Sequence, residues 1–215
     1  MSALVHSSHV QQKPESTRDS EGHPAALIDG CRRGERAALA QLFRVETPFL
    51  ERVLFRIVGP SSDLEDLLQV TLEHAVRAFP AFRGEASART WLTRIAVRTA
   101  LHHIKHPAQK RRVSLSVIEG GRSPISNSRP QHEAEARSRL RLVYEHLAEL
   151  DAKQRTAFVL FQVEGRPMDE VAALMDSNLS TTKSRVMWAR RKLFARLGRD
   201  PRTRGWLTES AGEVP

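Results

Sequence analysis

Between Gly165 and Leu197 the side chains recur with the chemistry of a groove reader. Ser180, Lys183, Ser184, Met187, Trp188 and Arg191 share one face of a helical pattern, offering hydroxyl donors, cations and two large apolar groups. Thr182, Val186, Ala189, Leu193 and Leu197 recur on the opposite face as one stripe to be buried. A shorter amphipathic stretch, Met168–Met175, precedes this helix, with Val171, Ala172, Leu174 and Met175 apolar. Asp176-Ser177-Asn178 breaks the pattern with turn-forming side chains, and Ser180 or Thr181 is the expected N-cap of the second helix. A helix held from behind by its partner, with donors and cations in front, is how a helix-turn-helix reads a major groove. The same pattern also describes a packed helical hairpin with a solvated basic face.

A second group, His102, His103 and His106, invites a metal reading, since His102 and His106 are four apart on a helix. The carboxylate of an H-E-x-x-H zinc motif is missing, so a DNA-facing or solvated cluster is expected and no metal. Without a Gly-rich phosphate loop or nucleophile motif, the chain is expected to be no enzyme and to need no cofactor.

Charge points the same way. The chain has 215 residues, a formal net charge of +9 and a pI of about 10.7, which favours a polyanionic partner. From Asp176 to Arg204 nine cations face two acids. Cys31 is the only cysteine, so no intrachain disulfide forms. No apolar run approaches the ~20 residues of a membrane span, and the N-terminus lacks a signal-peptide pattern; a cytoplasmic protein with no membrane insertion is expected.

The elements that must position these groups read as all-α. Residues 1–23 are polar and aperiodic, the pattern of a disordered tail. From Pro24 the pattern is helical, with Gly34 as punctuation and Ala38, Leu39, Leu42 and Phe43 on one face of Glu35–Val45. Pro48 is expected to begin the next helix, which Gly59-Pro60 ends. Ser62 or Asp63 caps a helix running to about Phe79, with Asp63, Glu65 and Asp66 in its first turn, where the helix dipole favours acids. The loop Pro80–Ser87 leads to a helix over Ala88–Lys105, with Trp91, Leu92, Ile95, Ala96 and Thr99 inward. Residues 107–131, rich in proline, glycine, serine and cations, read as a flexible basic linker. Helices resume near His132; Asp151 caps one that Gly165 stops, and the helix-turn-helix completes a second domain over 132–198 before a tail, 199–215.

Three stretches then make the pattern specific. Asp63-Leu64-Glu65-Asp66-Leu67-Leu68-Gln69, Phe82-Arg83-Gly84-Glu85 with Arg89-Thr90-Trp91-Leu92 and Ile95-Ala96, and Thr181, Lys183, Ser184, Arg185, Ala189 and Arg190 resemble, in order and spacing, motifs of the extracytoplasmic-function (ECF, group 4) sigma factors of bacterial RNA polymerase. The match covers about residues 25–106 and 133–198. The resemblance implies two small helical domains: a four-helix bundle over 24–106 that binds the polymerase clamp and the −10 element, and a −35-binding helix-turn-helix domain. It implies an alternative sigma factor that binds core RNA polymerase at clamp and flap, recognises −35 and −10 elements, helps melt the −10 region and initiates transcription of a specific regulon. It places polymerase contacts at Asp63, Glu65, Asp66 and Gln69. Contacts to the melted −10 strand fall at Phe82, Arg83, Arg89, Arg94, Arg98 and Lys105, and contacts to the duplex −35 at Thr181, Lys183, Ser184, Arg185, Met187, Trp188, Arg190 and Arg191. An anti-sigma factor is implied as a further partner, and the nucleoid as the location in holoenzyme. The chain departs from the family pattern at Val70, at Val97-Arg98 and His102, at Pro167 and, on the reading face, at Trp188 in place of arginine. The alternative is a stand-alone helix-turn-helix regulator, which leaves the acidic helix and the FRGE…RTWL segment without a role.

Overall fold

The computed structural model describes residues 23–106 and 130–203; the expected N-terminal tail except His23, which is buried in the first bundle instead of belonging to a tail, most of the linker and most of the C-terminal tail lie outside the described residues. Helices α1 (Ala25–Arg32), α2 (Arg36–Val58), α3 (Leu64–Ala78) and α4 (Ala88–Lys105) form one bundle. Helices α5 (Pro130–Ala148), α6 (Ala152–Phe158), α7 (Met168–Leu174) and α8 (Leu179–Arg199) form a second. Among the described residues there is no strand, in accord with the all-α reading.

The apolar stripes meet as their periodicity requires. Leu42, Leu50, Leu54, Ile57, Phe79, Leu92 and Val97 fill the first bundle, and Leu160, Val171, Leu174, Val186, Ala189 and Leu193 the second. Pro48 does not begin a helix: it lies inside α2, which runs unbroken for 23 residues. Burial of Leu42 on one side of it and of Leu50, Val53 and Leu54 on the other holds both halves to one core, which outweighs the lost backbone bond. Asp63, one of the two expected caps, stands at the N-cap of α3 without a side-chain cap bond, and Ser61 Oγ accepts from its N–H at 3.2 Å. Asp151 caps α6 as expected, accepting from the Lys153 and Gln154 N–H groups at 2.9 and 3.3 Å. After Phe158 the backbone widens into a π-helical turn, Val159–Val163, before Gly165 (φ +68°) ends it.

The two bundles are in contact, and the C-terminus of α2 is the joint. The last carbonyls of a helix lie beyond its own donors. Here the Tyr144 hydroxyl donates to Arg56 O at 2.9 Å, and Arg155 Nη2 donates to Val58 O at 2.6 Å. Arg155 also lies over the Tyr144 ring, and Arg56 pairs with Glu164 at 2.7 Å. Gly59 makes room for this: its φ is +84°, and a Cβ there would stand 2.4 Å from the Tyr144 ring. Further along, Arg166 lies over Phe49, and Arg98 on α4 donates twice to Asp176, in the turn before α8, at 2.7 and 2.9 Å.

Burial pushes the Tyr144 phenol up to about 12. A raised folded pKa means its contribution to docking is complete below the ordinary value near 10 and fades as pH rises through 10 towards 12. Tyr144 is the chain's only tyrosine, so phenolate absorbance reads it alone. The expected midpoint is about 12 in the native chain. In Gly59→Ala, where the added methyl drives the ring off, the midpoint falls towards about 10.

Candidate nucleic-acid interface

The helix-turn-helix is built by α7 and α8. Val171, Ala172 and Leu174 bury against Val186, Ala189 and Leu193, so α7 fixes the back of α8. Asp176 turns the chain at φ +47°, a conformation a short polar side chain tolerates. The N-cap of α8 is Asn178, not Ser180 or Thr181: its Oδ1 accepts from the Thr181 N–H at 2.7 Å. Asn178 has the extended backbone a cap needs, whereas Ser180 and Thr181 are already helical. Thr182 is buried and donates to Asn178 O, and Arg185 donates to Ser177 Oγ at 2.9 Å, tying the helix to its turn. The front is open. Lys183, Ser184, Met187, Trp188, Arg190 and Arg191 are all exposed, and Thr181 is half-buried. Arg191 lies over the Trp188 ring, and Arg190 over Phe194.

Helix α3 shows an acidic strip. Glu65, Asp66 and Gln69 are exposed on it, with Val70 beside them. Gln69 donates to Glu73, an exposed acid one turn on that extends the strip. Glu73 was legible in the sequence only by its spacing of four from Gln69 on the same helix. Asp63 differs from its neighbours: its carboxylate is mostly buried, 3.4 Å from His103 Nε2. His103 thus packs against the start of α3 instead of joining His102 and His106, whose rings lie 4.6 Å apart. Among the described residues no three His, Cys, Asp or Glu side chains gather to hold a metal.

The loop and α4 divide between holding and presenting. Phe82, where the resemblance places a contact to the melted −10 strand, is only 7% exposed. Its ring packs on Phe79 and Trp91, with centroids 5.4 and 5.2 Å away, under the Arg32 guanidinium. An aromatic that can bury on two others gains more from the core than from solvent. Arg89 is likewise drawn inward, bonding Glu46 through Nε and Nη2 at 2.8 and 3.0 Å. Glu46 is wholly buried, 3.0 Å from His23 Nε2 on its other side, so a cation is required beside it. Arg94 is half-buried, and Arg98 is paired with Asp176. Arg83 and Lys105 are exposed.

Family models match both halves: Sigma-70 region 2 over residues 42–111 and Sigma-70 region 4 over residues 140–193. The ECF RNA polymerase sigma-E factor of Escherichia coli (strain K12) is 30% identical over 174 residues, 76% of this chain and 88% of its own length. The sigma-E factor of Salmonella typhimurium (strain LT2) matches equally, at 30% over the same shares. The chain belongs to the ECF sigma factors. Such proteins are initiation factors of transcription that bind DNA, not enzymes. Two solved structures share the fold. One is CnrH in complex with the cytosolic domain of CnrY: TM-score 0.56, 23% identity, covering 81% of this chain and 97% of that one. The other is the sigma factor RpoE in complex with the anti-sigma factor NepR from Bartonella quintana: TM-score 0.52, 22% identity, covering 75% and 97%. No described helix of this sigma factor is long and apolar enough to cross a membrane.

The two kinds of arginine separate by experiment. Arg89→Ala removes the arginine partner of buried Glu46, and a loss of about 3 kcal/mol in denaturant unfolding is expected. Lys183→Ala removes an exposed cation, and its unfolding midpoint should stay within about 0.5 kcal/mol of the native chain.

Proposed function

We propose that this ECF sigma factor grips a promoter at two points and core polymerase between them, with residues 24–106 and 132–198 as its working units. The observation that carries the reading is α8, whose back is buried by α7 while its front presents Lys183, Ser184, Met187, Trp188, Arg190 and Arg191 to solvent. In this reading Lys183, Ser184, Met187 and Trp188 meet base edges of the −35 duplex, and Thr181, Arg185, Arg190 and Arg191 meet phosphates or flanking bases. The exposed acids Glu65 and Asp66, with Gln69 and Glu73, dock on a basic surface of the polymerase clamp; Asp63 serves the helix start. The flap is the second polymerase contact. Arg83, Arg94, Arg98 and Lys105 line the backbone of the melted −10 strand, a task for cations along a groove. Phe82 and Arg89 shape that surface from behind.

The docked arrangement cannot make both DNA contacts together. The −10 and −35 elements are about 25 base pairs apart, roughly 85 Å of duplex. Yet Arg98 on α4 lies 2.7 Å from Asp176 beside α8. In this reading the bundles part on the polymerase. The joint suits parting: Arg155 Nε and Arg166 Nε are buried at it with no hydrogen-bond partner among the described residues. Such groups cost about 1–3 kcal/mol each, a cost relieved in water. Because both solved relatives were captured with a second protein, one of them named an anti-sigma factor, a partner of that kind is proposed here too.

The test is run-off transcription with core polymerase on a genomic fragment library. Specific initiation is expected only with the chain present. No specific initiation, together with no binding to core polymerase, would favour the stand-alone regulator. On a promoter found this way, Arg190→Ala should weaken binding across all sequences. It should also lower the salt slope of log affinity by about 1.

A further inference from the structure

Directly opposite the buried stripe of α8 stand Ser184 and Arg191, flanked by Met187 and Trp188. Trp188 is 45% exposed and Met187 59%, an apolar outlay that does nothing for the fold. The Arg191 guanidinium, one turn on, lies 5.5 Å from the Trp188 ring centroid. A cation over an indole at that distance restrains both side chains, with nearly half of the tryptophan surface left to solvent. Ser184, one turn earlier, is small enough to let the helix approach a base pair beside the ring. Arg191 sets positive charge beside the aromatic, and Lys183 and Arg190 add exposed cations on the flank beyond Met187, which suits a phosphate-lined groove and penalises an apolar protein helix.

The chemistry of an indole is narrow. It has one N–H donor, no acceptor, and broad apolar faces and edges. In the major groove cytosine presents an amino donor, for which the indole has no partner, and adenine sets an amino donor beside its single N7 acceptor. Guanine presents two acceptors, and thymine one acceptor beside its C5-methyl group. Only thymine matches both halves of the side chain, with its methyl against the ring and O4 within reach of a donor.

We propose that Trp188, held in place by Arg191, is a specificity-determining residue that selects thymine at one −35 position through the C5-methyl group. This rests on α8 being the −35 reader. It replaces the cationic contact expected at that place in the family by an apolar one, so the site it selects carries a thymine where an arginine would call for guanine.

The test uses the full chain with core polymerase and a promoter selected from a library randomised at −35. Each thymine of the duplex −35 is replaced in turn by deoxyuridine, which removes the methyl alone. At one position the substitution should raise Kd about fourfold, the worth of one methyl group taken from water. In Trp188→Ala that response should vanish while the other positions keep theirs, and Trp188→Phe should retain part of it. Arg191→Ala should shrink the methyl response and Arg191→Lys keep most of it. Equal responses at every thymine in the native chain and in Trp188→Ala would overturn the proposal. If scrambling the whole −35 left Kd unchanged, the reading of α8 itself would fall, a result distinct from loss of the methyl effect.

Discussion

Helix α2 ends in carbonyl groups that point past its last internal donor, and the second bundle supplies what they need. Tyr144 gives a hydroxyl and Arg155 a guanidinium, the latter nearly buried and stacked on the tyrosine ring. Burial lowers the Arg155 pKa, a sign that the cation is held there at a desolvation cost. The negative end of the α2 dipole offsets part of that cost. Other contacts gather around this cap: Gly59 must lack a side chain, Glu164 falls opposite Arg56, and the turn before α8 comes to rest against Arg98 on α4. The joint carries these polar caps and ion pairs, with buried nitrogens left over, beside apolar contacts such as Phe55 on Tyr144 that join the two cores into one cluster.

Inside the first bundle a buried carboxylate has a comparable hold. Glu46 lies between His23 at the head of α1 and Arg89 at the head of α4. An uncompensated carboxylate in that position is costly, so the two helix starts are bound to it. Arg89 and Phe82 are thereby committed to the fold, although both lie in the segment whose motif speaks of strand capture. Their work is to set the shape of the loop and the tilt of α4, on which Arg83, Arg98 and Lys105 are carried.

The second bundle separates these duties more cleanly. The back of α8 is all packing and its front has almost none, so the front can change without cost to stability. Trp188 is such a change. It occupies a position where the resemblance leads one to expect an arginine, and its only described ring partner is Arg191 on the same face.

Much of this was legible from the residues in order. Period-3.6 stripes, Gly59, Gly84 and Gly165 at positive φ, and the Asp151 cap all follow from interactions within a few residues, and they appear where local chemistry puts them. The three motifs were sufficient for the family, because motif spacing survives in one dimension. Local pattern misled where a residue's partner is distant. Pro48 reads as a helix start by propensity, but the core on both sides of it keeps α2 whole. Phe82 and Arg89 read as surface groups, but Trp91 and Glu46 claim them, the latter from 43 residues away. Tyr144 and Arg155 fit the helical pattern but gave no sign of their capping role, since the carbonyls they serve are 88 and 97 residues distant. The sequence alone determined which segments are helices, which face of each is apolar and which family they compose, for these rest on periodicity and local chemistry. Which polar side chains present themselves to DNA and which are used up in holding the fold was decided only by tertiary structure. A buried charge or an open helix end takes the nearest partner in space, whatever its place in the chain.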